Sequence, residues 1–266
     1  MADLKQITAE LEKTAREAGT FIRSEVDRFD ISRAEVKGLN NFVSYVDKTA
    51  EEIIVNSLKK LLPGAGFKTE EGTTTQAEGQ KYVWVIDPLD GTTNFMHGCP
   101  PFAVSIGLKE DDEEVAGAVY EINADEMFTA WKNGGAWLNG RQIHVSSATR
   151  LSESLVATGF PYSDFSRLDK YIGLFTWFLK NSHGVRRLGS AATDIAYIAC
   201  GRFEAFYEYG LHSWDIAAAT VILREAGGRI SDFSGNEKGL SGKEVVAASE
   251  AVFLEFLQIV SNFMKK

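Results

Sequence analysis

The chain has few cysteines and no long apolar run, and both shortages limit what it can be. Only two cysteines, Cys99 and Cys200, occur among its 266 residues. They form neither a disulfide framework nor a zinc-binding pattern, so we expect a reducing, cytoplasmic setting. No apolar run is long enough to cross a membrane, and the first residues are unlike a signal peptide because acids appear early. The sequence therefore predicts a protein that is not inserted in a membrane.

Basic segments are also missing. The formal net charge is -9, and before the final Lys265 and Lys266 no basic stretch is longer than a pair. A positive surface for nucleic acid is therefore not expected. An acidic protein that handles an anionic phosphate needs metal ions to reverse the local sign of the charge.

The chain shows no internal repeat and no linker rich in proline, glycine or serine. Its composition, 44% hydrophobic and 24% charged, is that of a globular protein. We predict a single unit over residues 1–266, with an N-terminal α+β part over about 1–145 and a C-terminal α/β part over about 146–266.

Hydrophobic spacing predicts helices at the start, then a run of antiparallel strands, then alternating elements. A turn or hairpin tip is expected over residues 38–42, and a polar loop over 72–80. The predicted helices cover residues 3–27, 47–62, 166–180, 190–200, 214–226 and 250–264. The predicted strands cover residues 82–86, 102–108, 115–120, 127–131, 136–138, 154–160, 203–209, 229–233 and 244–248. This order of elements predicts an α+β layered sandwich.

The most informative segment is Trp84-Val85-Ile86-Asp87-Pro88-Leu89-Asp90-Gly91-Thr92-Thr93-Asn94-Phe95. Its apolar beginning predicts a buried strand that stops at Asp87, because Pro88 cannot donate to a sheet. Gly91 permits a tight backbone, and Thr92 or Thr93 is expected to cap a helix. Two carboxylates and the free N–H groups of a helix start would then share one turn. That combination suits hard cations and phosphate oxygens.

A cation with several oxygen ligands needs carboxylates from elsewhere in the chain. Candidates are Glu70 and Glu71 at the edge of a loop, and Asp215 at the start of a helix. The more ordinary uses of these residues are a solvated loop charge and a helix cap, so both alternatives stay open. The Asp87–Asp90 pair differs, because acids that adjoin an apolar strand are costly to desolvate without a compensating cation.

Together these segments resemble the inositol monophosphatase family. Residues 87–95 are similar to its first signature, and Trp214-Asp215 with Glu225-Ala226-Gly227-Gly228 is similar to its second. Other segments that match are Glu70-Glu71, Asp47 in a Thr-x-x-Asp-like motif, Gly189-Ser190-Ala191-Ala192 and Tyr207-Glu208. Ser44 stands where the family usually has threonine, which keeps the hydroxyl. The resemblance extends to about residue 250 and implies the αβαβα sandwich of the inositol monophosphatase and fructose-1,6-bisphosphatase type.

The resemblance implies a lithium-sensitive phosphomonoesterase that depends on Mg²⁺, with two or three ions in each active site. The metal ligands that it implies are Glu70, Asp87, the Leu89 carbonyl, Asp90 and Asp215. Mg²⁺ binds through few carboxylates and keeps several waters, which suits this set. Two ions can also stabilise the attacking and the leaving oxygen of an in-line displacement.

Catalytic roles follow from the same resemblance. Glu70 and Thr92 would orient the attacking water, Asp47 would hydrogen-bond Thr92, and Asp90 would position a water that protonates the leaving group. The substrate-binding residues that the resemblance implies are Asp90, Gly91, Thr92, Ala191, Glu208 and Asp215. The backbone N–H groups of Gly91 and Thr92 would stabilise phosphate oxygens.

The leading hypothesis is hydrolysis of a small phosphorylated polyol, myo-inositol monophosphate, by a homodimer with contacts in the region 160–190. The same site could instead act on fructose 1,6-bisphosphate, histidinol phosphate, NADP or 3′-phosphoadenosine phosphate. Glu208 and the short loop 72–80 mildly favour inositol over nucleotides. The non-enzyme alternative is a regulatory binding protein with the same fold. The four histidines show no metal spacing and are predicted to be structural or at the surface. The Arg186-Arg187 pair could contact phosphate, although a solvated edge or an interface is the more ordinary use of such a pair.

Overall fold

The computed structural model describes residues 3–30, 32, 35–38, 41–76 and 79–265. Residues 39 and 40 of the turn predicted over 38–42 lie outside the described residues. The same holds for residues 77 and 78 of the predicted loop, and for the terminal Lys266.

The described residues form seven α-helices and fourteen β-strands. The helices are α1 (Leu4–Glu25), α2 (Tyr45–Leu61), α3 (Thr92–Met96), α4 (Leu168–Asn181), α5 (Ala191–Ala199), α6 (Ser213–Glu225) and α7 (Glu250–Met264). The first nine strands are β1 (Glu35–Gly38), β2 (Asn41–Val43), β3 (Gly66–Thr69), β4 (Tyr82–Asp90), β5 (Ala103–Glu110), β6 (Glu113–Glu121), β7 (Glu126–Trp131), β8 (Ala136–Leu138) and β9 (Arg141–Ile143). The remaining strands are β10 (Leu155–Thr158), β11 (Gly184–Arg186), β12 (Ala205–Tyr209), β13 (Gly228–Ser231) and β14 (Glu244–Ser249).

Three helical layers alternate with two large sheets, and β1 and β2 form a separate antiparallel two-stranded sheet. Strands β3 to β9 form one sheet in sequence order, antiparallel except for the parallel pair β3–β4. The second sheet has the order β11-β10-β12-β14-β13. Helices α1 and α2 cover the outer face of the first sheet, α5 and α6 lie between the sheets, and α4 and α7 pack on the second sheet. The predicted α+β layered sandwich is confirmed.

The burial patterns of the helices explain these layers. Helix α1 buries one stripe at helical spacing, Ile7, Leu11, Ala15, Ala18 and Ile22, and exposes its charged face. Helix α6 instead buries a continuous run from Ile216 to Leu223. A helix that is apolar all round belongs between two layers, which is where α6 lies.

Helix α6 approaches the first sheet very closely because both surfaces consist of small residues. A Cβ atom on Gly117 of β6 would lie 2.7 Å from the Ala218 carbonyl oxygen, and one on Gly107 of β5 would lie 3.1 Å from the Ala217 Cβ. Glycine at these two positions therefore sets the height of α6 above the sheet. The start of α6, which carries Asp215, is thereby held near the end of β4.

Several predicted boundaries are wrong, and two of them bear on the cavity. Strand β4 does not stop at Asp87 but continues to Asp90, because the pairing with β5 shifts between these residues and Pro88 lies in the irregular stretch. Helix α2 begins at Tyr45 rather than Asp47, because Ser44 caps it and accepts a hydrogen bond from the Val46 N–H at 3.1 Å.

Three short strands, β3, β9 and β11, were not expected from the sequence. Each has three or four residues, too few to show a periodic pattern. None of the helices in the described parts of the chain has the length and apolarity required to cross a membrane.

Candidate active site

A cavity of about 210 Å³ opens where β4 meets the starts of α3, α5 and α6. Of the predicted site residues, those that line it are Glu70, Asp87, Leu89, Asp90, Gly91, Thr92, Ala191, Glu208 and Asp215. Asp47 is not in the lining but lies behind Thr92, to which it is hydrogen-bonded. The structure therefore brings together residues from both sheets and from the layer between them.

The irregular end of β4 supplies Asp87 and Asp90. Asp87 accepts a hydrogen bond from the Leu89 N–H at 2.9 Å through its Oδ1 atom. Asp90 is tied to the start of α5, because its Oδ2 atom accepts from the Ser190 hydroxyl at 2.6 Å and from the Ala192 N–H at 2.7 Å. The bulge and these bonds orient both carboxylates beside one cavity.

The turn after Asp90 requires glycine. Gly91 has a φ of 97°, and a Cβ atom there would lie 3.1 Å from the Pro101 carbonyl oxygen and 3.2 Å from that of Gly189. Gly91 is also the N-cap of α3, so the prediction that Thr92 or Thr93 caps this helix is wrong. Thr92 is the first residue of α3, so its hydroxyl does not cap this helix and bonds to other groups.

These partners are both acceptors. Thr92 Oγ1 lies 2.9 Å from Asp47 Oδ1 and 3.1 Å from the Leu89 carbonyl oxygen. Its single proton is therefore directed to this side, and its oxygen keeps lone pairs for another donor. The other oxygen of Asp47 accepts from the N–H of Ser44 at 2.8 Å and from its hydroxyl at 2.7 Å. Burial raises the pKa of Asp47, while the bonds from Ser44 and Thr92 oppose that rise.

Burial raises the pKa values of the carboxylates in the cavity, and for Asp87 and Asp215 neighbouring charges add to this. Burial raises the pKa of Asp87 well above its usual range, and the charges of Glu70, Asp90 and Asp215 raise it further. Burial also raises the pKa of Asp90 to about 6, although the Ser190 hydroxyl and the Ala192 N–H oppose this. The pKa of Asp215 rises to about 7, first through burial and then through the charge of Asp90. Such a cluster binds either protons or cations.

The donors in this cluster suit a hard cation. The structure describes no group of three or more His, Cys, Asp or Glu side chains that is arranged to hold a metal ion alone. Carboxylates and a carbonyl nevertheless line the same cavity, and their mutual repulsion would be relieved by positive charge. Mg²⁺ keeps several waters and uses few protein ligands, so an incomplete protein shell fits it.

Asp215 is both a capping residue of α6 and part of the cavity lining. Its Oδ2 atom accepts from the His212 N–H at 2.7 Å, as a capping residue does, and its carboxylate also lines the cavity. His212 stacks on Trp214 with a centroid distance of 4.7 Å. Gly242 packs against His212 so closely that a Cβ atom there would overlap the histidine backbone. The loop that contains Gly242 thus supports the start of α6.

Glu208 lies at the far side of the cavity, at the end of β12. Burial raises its pKa well above the usual range, the charge of Asp215 adds to this, and Arg187 opposes it. A Cβ atom on Gly159 would overlap the Glu208 carboxyl group, so this glycine makes room for the side chain.

Several residues in the lining were missed by the sequence analysis. Arg187, for which a solvated edge or an interface was favoured over phosphate contact, lines the cavity and donates a hydrogen bond to the Tyr162 hydroxyl at 3.1 Å. Its position just before the Gly189-Ser190 segment was a usable signal. Tyr162 gave none, because it precedes α4 in an irregular segment. His212 was predicted to be structural or at the surface, and its exposed side chain lines the cavity.

Solved structures define the class of this fold. The crystal structure of the extragenic suppressor protein suhB from Bartonella henselae is similar with a TM-score of 0.89 and 35% identity, covering 96% of this chain and 98% of the other. The inositol monophosphatase from Anabaena is similar with a TM-score of 0.86 and 29% identity, covering 98% and 97%. The fold is therefore that of the inositol monophosphatases.

Sequence relatives agree with this class. The model of the inositol monophosphatase family matches residues 3–262, and the chain belongs to that family. The Nus factor SuhB of Pseudomonas aeruginosa is 40% identical over 252 residues, which is 93% of each chain. The inositol-1-monophosphatase of Mesorhizobium japonicum is 38% identical over 250 residues, which is 94% of each chain. Relatives named inositol-1-monophosphatase and relatives named Nus factor are thus similarly close.

Proposed function

We propose that this protein is a Mg²⁺-dependent phosphomonoesterase whose leading substrate is myo-inositol monophosphate. The observation that carries the proposal is the cavity in which Glu70, Asp87, Asp90 and Asp215 adjoin the turn at Gly91 and Thr92. Acids that repel one another attract divalent cations, and cations attract a phosphate. The cavity lies in a chain of the inositol monophosphatase family, which favours phosphate ester hydrolysis over other metal chemistry.

The proposed metal ligands are Glu70, Asp87, the Leu89 carbonyl, Asp90 and Asp215. When bound, two or three Mg²⁺ ions would supply the positive charge that activates water and stabilises the leaving oxygen. The proton of Thr92 is directed to Asp47, so the threonine oxygen can accept a hydrogen bond from the attacking water. Glu70 is the second proposed acceptor of a hydrogen bond from the same water. This pair of acceptors directs a water lone pair towards the phosphorus atom.

The chain also contributes to phosphate and polyol binding in this proposal. Gly91 and Thr92 stand at the N-terminus of α3, where N–H groups have no partner within the helix, and they donate to phosphate oxygens. Asp90 positions the water that protonates the leaving alkoxide. Glu208 and Asp215 accept hydrogen bonds from substrate hydroxyls, and the small side chain of Ala191 leaves space for the ring.

A second cavity suggests how larger substrates could be accommodated. It has a volume of about 830 Å³ and shares Gly210, Leu211 and His212 with the first. This space favours fructose 1,6-bisphosphate, NADP and 3′-phosphoadenosine phosphate as the larger alternative substrates, and histidinol phosphate is a smaller alternative.

Phosphate release from each of these esters, with and without Mg²⁺, tests the proposal. We expect release that requires Mg²⁺, is inhibited by Li⁺, and is fastest with myo-inositol monophosphate. A faster rate with one of the other esters would make that ester the preferred substrate, while the proposed type of reaction would stand. No release from any ester by folded protein would contradict the enzyme proposal.

That last outcome would favour the second candidate, a regulatory binding protein. The observation behind it is the 40% identity to a relative named Nus factor SuhB. Binding of the transcription machinery by the folded protein, unaffected by loss of a cavity carboxylate, would support this function.

We also propose that the protein is a cytoplasmic homodimer. The region 160–190 exposes large apolar side chains, namely Phe165, Ile172 and Leu179. Apolar patches on a water-exposed helix are typical of interfaces.

A further inference from the structure

A second buried carboxylate on α2 lies outside the cavity and makes no contribution to the mechanism described above. Glu51 is fully buried. Its carboxylate accepts three hydrogen bonds, all from the segment that follows Glu70: from the Glu71 N–H at 2.8 Å, the Thr73 N–H at 2.7 Å and the Thr73 hydroxyl at 2.7 Å. Bonds of this kind, with a charged acceptor, are among the stronger hydrogen bonds in proteins. Glu51 therefore attaches this loop to α2.

The backbone of the loop is shaped for this attachment. Gly72 has a φ of 66°, a left-handed conformation that turns the N–H groups on either side of it towards the same carboxylate. Gln76 holds the other end of the loop against β3, where its side chain accepts from the Thr69 N–H at 3.1 Å. The backbone N–H of Glu70 itself donates to the Ile86 carbonyl of β4 at 3.2 Å. Glu70 is thus held by β4 on one side and by the Glu51-bound loop on the other.

Glu51 lies one helical turn after Asp47, so the two carboxylates share a face of α2. Asp47 holds the hydroxyl of Thr92 at 2.9 Å, and Glu51 holds the loop next to Glu70. Thr92 and Glu70 belong to separate segments, and α2 is the element to which both are attached. One rigid turn of helix therefore sets the separation of the two groups.

We propose that Glu51 is a positioning residue that fixes Glu70 relative to Thr92 for cation and water binding. Its effect on turnover rests on the proposed phosphatase function. Its effect on the geometry of the loop does not, which allows the two to be tested separately.

The experiment compares Glu51→Gln with Glu52→Gln, an exposed glutamate on the same helix. An amide has one acceptor oxygen in place of two, so Glu51→Gln loses at least one bond to the loop. We expect faster hydrogen exchange of the amides at 71 and 73, with α2 still protected. We also expect calorimetry to show about tenfold weaker Mg²⁺ binding, as is typical when a group behind a metal ligand is changed. Glu52→Gln should match the unchanged protein in both measurements.

Catalysis gives a third measurement. Glu51→Gln should lower kcat about tenfold or more with little change in KM, because the substrate contacts are unchanged while the water is mispositioned. If the unchanged protein has no phosphatase activity, the proposed function fails, and hydrogen exchange and Mg²⁺ binding still decide the role of Glu51.

Thr73→Val provides a variant that leaves the buried core intact if Glu51→Gln fails to fold. It removes one of the three bonds from the loop side, and we expect smaller changes in the same direction. Unchanged exchange and unchanged Mg²⁺ affinity in the folded variants would overturn the proposal. Lower thermal stability without either change would also overturn it, since Glu51 would then be a purely structural residue.

Discussion

Asp90 shows how one carboxylate can serve both the fold and the cavity. Its Oδ2 atom accepts two hydrogen bonds from the start of α5, and its other oxygen is left for the cavity. In Asp90→Asn the amide oxygen can keep both structural bonds, while the cavity loses a negative charge. We expect turnover to fall at least about 100-fold, because losing a group that contacts the metal should cost more than the roughly 10–100-fold typical of a group behind a ligand. The folded structure should persist.

Phosphate release and a thermal melt check this prediction. Without Mg²⁺ the melting temperature of Asp90→Asn should equal or exceed that of the unchanged protein, because repulsion within the acid cluster is reduced. Asp112→Asn, an exposed acid, is the control. A rate close to normal in Asp90→Asn would show that the proposed metal ligands are wrong.

The raised pKa values predict an unusual dependence of stability on pH. In the folded protein Asp90 has a pKa of about 6 and Asp215 of about 7, both above the value of 3.8 for an unperturbed aspartate. Between about pH 4 and 7 the folded state therefore binds more protons than the unfolded state, and the free energy of unfolding falls as pH rises. Mg²⁺ should restore stability near pH 8 and have little effect near pH 5.

Denaturant titrations of the metal-free protein and of Asp215→Asn across this range check the sign. The unchanged protein should lose stability as Asp215 ionises, and the variant should not, because asparagine does not ionise. The difference in free energy of unfolding, variant minus unchanged protein, should therefore rise with pH. A difference independent of pH would contradict the raised pKa of Asp215 in the folded protein.

At the scale of residues, the motif from Asp87 to Phe95 is sufficient to predict the central part of the cavity lining from the sequence. Glu70 and Asp215 were ambiguous on their own residue types, because a helix cap and a solvated loop charge have the same local sequence. The family resemblance favours metal binding for both residues, and both line the cavity. Tyr162 was not predicted, because its place in the lining depends on the packing of an irregular segment against distant strands.

At the scale of elements, the loop between β13 and β14 supports the start of α6 through the contact of Gly242 with His212. Gly242 has a φ of 87° and no space for a Cβ atom beside His212, whereas Gly239 has a φ of 64° and open space around it. Gly239→Ala should cost about 1–2 kcal/mol through backbone strain alone. Gly242→Ala should cost about 1–3 kcal/mol more, because the loop and His212 must separate.

Urea unfolding measures both costs, and calorimetry measures Mg²⁺ binding. Only Gly242→Ala should weaken Mg²⁺ binding, since Asp215 accepts its capping bond from the His212 N–H. Equal effects of the two variants would show that the contact with His212 is unimportant.

The elements themselves were largely predictable, since the long helices and the strands of the first sheet carry clear periodic patterns. The errors lie where a side chain or a bulge overrides a local rule. The rule that proline ends a strand is wrong at Pro88, because the shifted pairing with β5 does not need its missing N–H. The start of α2 was placed too late because the cap is Ser44, before the first apolar residues of the helix.

For the whole molecule, the proposed homodimer gives a direct test. Ile172 and Leu179 are seven residues apart on α4, and therefore on one face, with exposures of 45% and 52%. Leu179→Lys should shift the protein from dimer to monomer in analytical ultracentrifugation, because a charge would be buried at the interface. Leu254→Lys on α7, where leucine is 66% exposed, is the control. A dimer that survives Leu179→Lys would place the interface elsewhere.

The carboxylates of the cavity come from chain segments as far apart as Glu70 and Asp215, and they meet only in the folded molecule. A divalent cation that binds there has no comparable partner in the unfolded chain, so its binding is coupled to folding by mass action. A concentration one hundred times the dissociation constant would add about 2.7 kcal/mol to the free energy of unfolding. The free energy of unfolding would then rise with the concentration of free Mg²⁺, so the stability of the protein would report on the supply of the ion.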